Sequence, residues 1–305
     1  MKKYALFIII LFLCFKFGHS QQVPQFRHAI FSHFYYNPAY AMDSHKPDIL
    51  LNHRSQWTGF EGSPITSSLS GTYEFFDNMA AGLTVSNDVL GASKNLNLTL
   101  SYAYQLKITD EWLMNFGIGW SFMQSQLDGS KIDLFHDDDE IVMENLSGKS
   151  WKPDANAGIM ISNGVFFGSF SAMQLFEAKY RLFDDVKGSI AAQRHYFITG
   201  GGHFNSGKDS KIHADLTTQL TAGTPAYVYI TGLWDYNNSV LAGLSYCHGD
   251  AIVLNAGYQY QNFVILYSYD IITSRLMSVS GGSHEITLGY HIKIDKTTST
   301  FQPMF

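Results

Sequence analysis

The most charged stretch of the chain is His136-Asp137-Asp138-Asp139-Glu140. Four neighbouring carboxylates have the chemistry to hold a calcium ion. A calcium loop, however, spaces its ligands as Asp-x-Asp-x-Asp-Gly, and this stretch lacks that spacing. We therefore interpret it as the solvated tip of a long loop, and we predict no metal site and no cofactor.

The remaining reactive residue types form no catalytic arrangement in the sequence. His195 and His203 lie along one predicted strand, and no set of histidines and cysteines has the spacing of a zinc site. The run 200–202 is three glycines, but it does not join a strand to a helix, as a phosphate-binding loop does. The chain also has no Gly-x-Ser-x-Gly nucleophile motif. We predict that the protein is not an enzyme.

The first twenty residues have the layout of a secretory signal peptide. Two lysines precede an apolar run, 4–15, and small residues stand at the −3 and −1 positions of a cleavage point before Gln21. The run is too short to cross a bilayer as a helix. We predict an exported protein whose mature chain keeps a single cysteine, Cys247, and so forms no internal disulfide.

Composition narrows the class of exported protein. Removing three lysines with residues 1–20 takes the formal charge from −6 to −9, which argues against a nucleic-acid partner. The chain has 23 Phe and 18 Tyr, and 15% of its residues are charged. After the signal, no segment approaches the roughly 18 consecutive apolar residues of a membrane helix. These features are typical of a secreted all-β domain or an outer-membrane β-barrel.

Strict alternation of apolar and polar residues predicts long strands. In Asn95 to Ile108, NLNLTLSYAYQLKI, every even position is apolar and every odd position is small, polar or charged. Side chains alternate between the faces of a strand, so this segment has one apolar face and one polar face. The alternation alone does not determine which face is outside the protein. In a soluble sandwich the polar face would be the outer one.

About fourteen segments of this kind are bounded by turn residues. They start near Asp48, Ile65, Ala80, Asn95, Glu111, Asp154, Val165, Ser189, Ser210, Ala226, Ser239, Ala251, Phe263 and His284. Short Asn, Asp and Gly turns follow the even strands, and mostly longer connections follow the odd strands, with 247–250 as a short exception. This pattern favours an all-β transmembrane barrel of about fourteen antiparallel strands with both termini in the periplasm.

Two motifs resemble a known family. QVPQF followed by Asn37-Pro38-Ala39-Tyr40-Ala41 is similar to the start of PorP/SprF proteins of Bacteroidota, and HRSQWTGFEGSP, residues 53–64, resembles the motif of their first hairpin. The closing residues 282–285, Gly-Ser-His-Glu, fit as well. Val23 and Met42-Asp43 depart from the residues usual in the family, which bears on the subgroup.

The resemblance implies a non-enzymatic component of the type IX secretion and gliding-motility apparatus. Its implied partners are outer-membrane lipids, periplasmic lipoprotein or peptidoglycan-binding components, and a cognate large adhesin with a type-B C-terminal secretion domain. The motif residues are candidates either for partner binding or for plugging the barrel: Asn37, Pro38, Ala39, Tyr40, Arg54, Gln56, Trp57, Gly59, Phe60 and Pro64.

The predicted organisation is a signal peptide (1–20), a periplasmic N-terminal segment (21–47), a barrel (48–294) and a C-terminal tail (295–305). Because Asn37 precedes Pro38, a helix through the N-terminal segment should break there. The polar strand faces also suit a hydrated channel, so an outer-membrane pore or transporter for small solutes is the alternative function.

Overall fold

The computed structural model describes residues 23–43, 45–131, 148–180 and 190–292. The predicted signal peptide, the acidic stretch 136–140 and the tail 295–305 lie outside these residues. Fourteen antiparallel strands form a closed barrel, and the first strand pairs with the last. Among the described residues, no helix is long and apolar enough to cross a membrane.

The strands are numbered in chain order, and β8 and β9 form a separate two-stranded sheet. The bounds are β1 Ile49–Ser55, β2 Ile65–Phe76, β3 Met79–Leu90, β4 Ser93–Lys107, β5 Leu113–Leu127, β6 Gly148–Ser162, β7 Phe166–Met173, β8 Lys179–Tyr180, β9 Ile190–Ala191, β10 His195–Asn205, β11 Ser210–Thr221, β12 Tyr227–Tyr236, β13 Val240–Cys247, β14 Ala251–Tyr260, β15 Phe263–Ile272 and β16 Ser283–Tyr290. In the barrel, β7 is followed directly by β10.

The predicted barrel and its strand number are confirmed, and all but two strands begin within two residues of the predicted start. β6 begins at Gly148 and not near Asp154, because its ladder with β5 continues to the pair Leu127 and Gly148. The eighth barrel strand begins at His195 and not near Ser189. The described chain between Met173 and His195 instead contains β8 and β9, which pair with each other as a small antiparallel sheet.

The polar face of each strand is inside the barrel. On β4, Thr99, Ser101 and Ala103 are buried, whereas Leu100 and Tyr102 are exposed on the outer surface. Each barrel strand exposes a large apolar side chain: Leu51, Leu69, Leu83, Leu100, Ile118, Ile159, Phe170, Ile198, Leu216, Ile230, Leu244, Leu254, Ile265 and Leu288. Such a band is unfavourable in water and favourable in hydrocarbon, as on membrane barrels, which overturns the sandwich alternative.

The two ends of the barrel differ in their connections. At the short-turn end, the connections are 77–78, 108–112, 163–165, 206–209, 237–239 and 261–262. At the long-loop end lie the connections after β1, β5, β7 and β15, together with the shorter ones after β3, β11 and β13. β1 begins, and β16 ends, at the short-turn end. Exposed tyrosines at the short-turn end, among them Tyr236, Tyr258 and Tyr260, suit a membrane interface.

The described part of residues 23–47, here called the lumenal segment, runs through the inside of the barrel. At the long-loop end, the backbone N–H of Val23 donates to Nε2 of His195, at 3.3 Å. At the short-turn end, Pro47 packs against Gly289, and β1 follows at once. The segment predicted as periplasmic therefore lies within the barrel for its described residues. That both termini face the periplasm stays a prediction.

Glycines on the inner wall make room for the lumenal segment. A Cβ atom on Gly117 of β5 would lie 2.2 Å from the backbone nitrogen of Ala39, and one on Gly158 of β6 would lie 2.0 Å from Oδ1 of Asn37. Both distances are far below van der Waals contact. The wall and the segment are therefore complementary in shape at the level of single methyl groups.

Substituting Gly117→Ala should destabilise the protein, because the new methyl group clashes with backbone atoms. Backbone atoms cannot relieve the clash by changing rotamer, as a side chain could. We expect a loss of about 1–3 kcal/mol in the free energy of unfolding, measured by urea titration in detergent. The control is Gly168→Ala, whose Cβ would have its nearest neighbour, Cγ2 of Ile161, at 4.0 Å. Equal stability of the two variants would contradict the close fit.

Candidate functional site

The lumenal segment contains one α-helix and one turn of 3-10 helix. Helix α1 spans Ala29–Tyr36, and the 3-10 turn spans Pro38–Met42. Asn37 between them is extended (φ −141°, ψ 111°), as expected for a residue before proline. Its Oδ1 accepts a hydrogen bond from the backbone N–H of Ala39, at 2.9 Å, and so caps the second element. The predicted helix break at Asn37 is confirmed.

The Asn-Pro-Ala-Tyr motif also fixes the segment to the barrel wall. Nδ2 of Asn37 donates to the carbonyl oxygen of Ile159 on β6, at 3.2 Å. The hydroxyl of Tyr40 donates to Oγ of Ser169 on β7, at 3.1 Å. Burial raises the pKa of Tyr40 well above its ordinary value, although the bond to Ser169 acts in the opposite direction. The phenol therefore stays a neutral donor.

Arg27 is the main ionic anchor of the segment. Its guanidinium is fully buried and donates from Nε to Oδ2 of Asp270, at 2.8 Å, from Nη2 to Asp250 and from Nη1 to the hydroxyl of Tyr227. Burial lowers the pKa of Arg27, but the acidic groups around it outweigh this effect and raise the pKa above its ordinary value. The anchor is therefore cationic, and it joins the segment to β12, β15 and the connection after β13.

Glu285 on β16 accepts hydrogen bonds from the backbone just before α1. Its Oε2 accepts from the N–H of Arg27, at 2.7 Å, and its Oε1 accepts from the N–H of His28, at 3.1 Å. Nδ1 of His28 lies 2.7 Å from Oγ1 of Thr287 on the same strand. Two backbone donors that have no partner within the helix are thus satisfied by one carboxylate.

Arg54 joins this network from β1. Its Nη2 donates to Oδ2 of Asp270, at 2.7 Å, so one carboxylate oxygen is shared by Arg27 and Arg54. Nη1 of Arg54 lies at an ion-pair distance of 3.5 Å from Oε2 of Glu285, its direct partner across the β1–β16 ladder. We call Arg27, Arg54, Asp270 and Glu285 the anchor cluster. It carries two positive and two negative charges, so its formal charges balance.

The second motif divides between the lumen and a loop. Arg54 points into the lumen, whereas residues 56–64, which contain Gln56, Trp57, Gly59, Phe60 and Pro64, form the β1–β2 connection at the long-loop end. The loop is closed by the N–H of Gln56, which donates to the carbonyl oxygen of Pro64 at 2.9 Å. Gly59 has a φ of +89°, a backbone conformation that suits glycine. Phe60 is 53% exposed.

A second ionic contact lies where the segment leaves the barrel. Oδ1 of Asp43 accepts from the backbone N–H of His45, at 3.0 Å, and lies 3.1 Å from its Nδ1. Burial raises the pKa of Asp43, but the bonds from His45 outweigh it and hold the pKa below its ordinary value. The same bond raises the pKa of His45. Nearby, Nζ of Lys46 donates to Thr72 of β2.

Within the described residues, the second motif is linked to the lumenal segment through the charged side chains of the anchor cluster. Arg54 reaches Arg27 by way of Asp270, whereas the Asn-Pro-Ala-Tyr motif contacts the wall further towards the short-turn end. Three residues of the site were not predicted from the sequence: Arg27, Asp270 and Glu285. A signal was present for the two acids, because each is a carboxylate within a strand that is otherwise apolar or neutral, FVILYSYDII and SHEITLGY.

These features define the class of the protein: an outer-membrane-type β-barrel with an apolar outer band and a lumen occupied by its own N-terminal segment. Residues 18–290 match the protein family described as "Type IX secretion system membrane protein PorP/SprF". The chain belongs to the PorP/SprF family, and the resemblance inferred from the two motifs is confirmed. No curated protein matches the chain.

Several solved structures share the barrel fold at low sequence identity. The toluene transporter TbuX of Ralstonia pickettii is 11% identical with a TM-score of 0.50, covering 86% of this chain and 94% of its own. A FadL homologue of Pseudomonas aeruginosa is 11% identical with a TM-score of 0.48, covering 90% and 96%. The monoaromatic hydrocarbon channel CymD is 10% identical with a TM-score of 0.49, covering 86% and 93%. At these identities the likeness shows the fold alone.

Removing the Arg27 side chain should loosen the lumenal segment. The variant Arg27→Ala leaves Asp250 without its cation and Asp270 with one cation in place of two, and breaking a buried ion pair in this way costs about 3–5 kcal/mol. We expect a lower free energy of unfolding in detergent and faster amide hydrogen exchange over residues 26–42. The variant Arg275→Ala serves as control, because Arg275 is exposed. Unchanged exchange in Arg27→Ala would contradict the anchoring role.

The contact between Asp43 and His45 should make stability depend on pH. The contribution of Asp43 is present above its ordinary pKa of 3.8 and is lost as pH falls through its lowered pKa, whereas that of His45 is present below 6.5 and is lost as pH rises through its raised pKa. The difference in melting temperature between wild type and Asp43→Asn should therefore be widest between about pH 4 and 6.5.

His45 is partly exposed, so the stability difference should stay below about 1 kcal/mol. The variant His45→Gln should flatten the same profile. A difference that does not change from pH 3 to pH 9 would contradict the ion pair.

Proposed function

We propose that this chain is a closed, non-enzymatic outer-membrane barrel of the type IX secretion apparatus. In this role it supports export or surface anchoring of a cognate large adhesin that carries a type-B C-terminal secretion domain. It reaches the outer membrane after cleavage of a signal peptide before Gln21. The observation that carries the proposal is the family match over residues 18–290, together with a lumen that the chain itself occupies.

The filled lumen favours a secretion component over a pore for small solutes. Tyr40 and Ala39 are almost wholly buried between the wall and the segment, and the anchor cluster ties the segment to β1, β15 and β16. Moving the segment aside requires these ion pairs to break. A barrel that is closed at rest fits a part that acts through contacts with other proteins.

The proposed partners follow from two accessible surfaces of the barrel, the apolar outer band and the β1–β2 loop. The apolar outer band faces lipid. The Asn-Pro-Ala-Tyr motif is fully enclosed and serves as part of the plug, whereas the β1–β2 loop offers exposed side chains, Phe60 above all, for contact with another protein. Periplasmic lipoprotein or peptidoglycan-binding components and the exported adhesin are the proposed protein partners.

Conductance in planar bilayers separates the secretion role from the pore. We expect the purified wild-type protein to show no steady current, and Arg27→Ala to show intermittent openings, because its lumenal segment has lost an anchor. Arg275→Ala should remain closed, like the wild type. A steady open current from the wild-type protein would favour a transporter of small solutes.

Deletion of the gene tests the role in secretion. We expect one large surface protein to disappear from the cell exterior and to return when the wild-type gene is restored. Complementation with Phe60→Ser should restore the barrel but reduce surface display, if the loop contacts a partner. An unchanged surface proteome in the deletion strain would overturn the proposed function.

A further inference from the structure

A cavity of ≈ 80 Å³ lies at the long-loop end of the lumen, and none of the four residues of the anchor cluster lines it. Val23, Pro24 and Tyr35 of the lumenal segment form one side of it. The opposite side belongs to β3 and β4, where Ser86 and Asp88 are direct cross-strand partners of Asn97 and Asn95. Side-chain oxygens are thus grouped on one wall.

The cavity contains a negative charge that no cation of the described chain neutralises. Oδ1 of Asp88 accepts a hydrogen bond from Oγ1 of Thr66, at 2.6 Å. No lysine or arginine lines the cavity, and Asp88 takes part in none of the ion pairs between described residues. A carboxylate in such a confined place favours a cationic ligand.

The one histidine of the lining does not supply that charge. Nε2 of His195 accepts from the N–H of Val23, so the proton of a neutral ring is on Nδ1, which lies 3.1 Å from Oε1 of Gln174. Both ring nitrogens are occupied. His195 therefore closes the cavity floor as a neutral group.

A second group in the wall also lacks a partner. Nδ2 of Asn97 donates to Oγ1 of Thr99, at 3.2 Å, which fixes the orientation of the amide, and its Oδ1 is buried with no hydrogen-bond partner among the described residues. A buried acceptor of this kind favours a ligand that donates hydrogen bonds. The site thus offers one negative charge and one free acceptor.

The rest of the lining is mixed: Ser121, Gln124 and Asn156 are polar, and an apolar part lies beside them. The apolar part consists of Met123 of β5 and Met173 of β7, together with Val23, Pro24 and Tyr35 of the lumenal segment. Thioethers and an aromatic ring suit an alkyl chain. A single carboxylate balances one positive charge, whereas a calcium ion takes six to eight oxygen ligands and a stronger negative charge.

We propose that this cavity binds a primary alkylammonium group, with the ammonium beside Asp88 and Asn97 and the alkyl chain against the two methionines. Two sources share this chemistry, the lysine side chain of a protein and a free small amine. The proposal concerns the cavity alone and does not depend on the proposed function.

The test uses the purified full-length protein in detergent and isothermal titration calorimetry. The probes are Nα-acetyl-lysine methylamide and its uncharged isostere, Nα-acetyl-norleucine methylamide. We expect the lysine probe to bind at least about tenfold more tightly, because only it carries the charged donor. Equal affinities, or no binding of either probe, would overturn the proposal.

Two variants and one control locate the binding. Asp88→Asn should abolish the preference for the lysine probe, and Asn97→Leu should weaken binding several-fold while leaving the charge in place. Asp77→Asn makes the same charge change in the turn at the short-turn end and should bind as the wild type does. If Asp88→Asn does not fold, Asn97→Leu decides. Unaltered binding in the variants that fold would overturn the proposal.

Further probes distinguish the sources. Cadaverine that binds as tightly as the lysine probe indicates a free amine as ligand, and preference for the lysine probe indicates a lysine within a polypeptide. Both results support the alkylammonium site. Calcium chloride that saturates the cavity and excludes the lysine probe would overturn it in favour of a metal ion.

Discussion

The contact between Asp270 and the two arginines joins three parts of the chain that are far apart in the sequence. It brings together the start of α1 through Arg27, the first barrel strand through Arg54 and the fifteenth strand through the carboxylate itself. Glu285 adds the last strand, directly across the ladder from Arg54. The seam that closes the barrel and the segment that fills it are therefore held by the same charges. Because all four side chains are almost fully removed from solvent, each charge depends on the others for compensation.

The number of strands explains why such a segment is present. A barrel of about eight strands is filled by its own side chains, whereas wider barrels leave space inside. With fourteen strands, the small side chains of the inner wall, such as Thr99 and Ser101, do not reach the axis. Helix α1 and the following turn occupy that space, and Gly117 and Gly158 allow the backbone and Asn37 to approach the wall. These two glycines thus serve packing across the lumen.

The wall of the barrel was predictable from the sequence because its signals are local. Alternation with a period of two residues marks each strand, and Asn, Asp and Gly mark the turns, so the strand number and most starts followed directly. The exceptions, at β6 and β10, are strands whose neighbours determine where they begin. Gly148 continues the ladder that pairs β6 with Leu127 of β5. His195 follows β8 and β9, and these two-residue strands are too short to show a periodic pattern in the sequence. Which face is outside also required the closed sheet, since alternation is the same for a sandwich.

The contacts of the site are likewise of two kinds: some join residues that are close in the sequence, and others join residues that are far apart. The helix break at Asn37 has a local cause, because the proline that follows predicts it, and the cap of Asn37 on Ala39 spans only two residues. The bond from Arg27 to Asp270 spans 243 residues, and nothing near Arg27 in the sequence indicates its partner. A carboxylate in a membrane strand does, however, allow one general prediction. Unless it is paired inside the barrel, such a residue is costly, so Asp270 and Glu285 require cations from elsewhere in the chain. The lumenal segment supplies Arg27 and β1 supplies Arg54. The closure of the barrel and the filling of its lumen therefore depend on the same ion pairs.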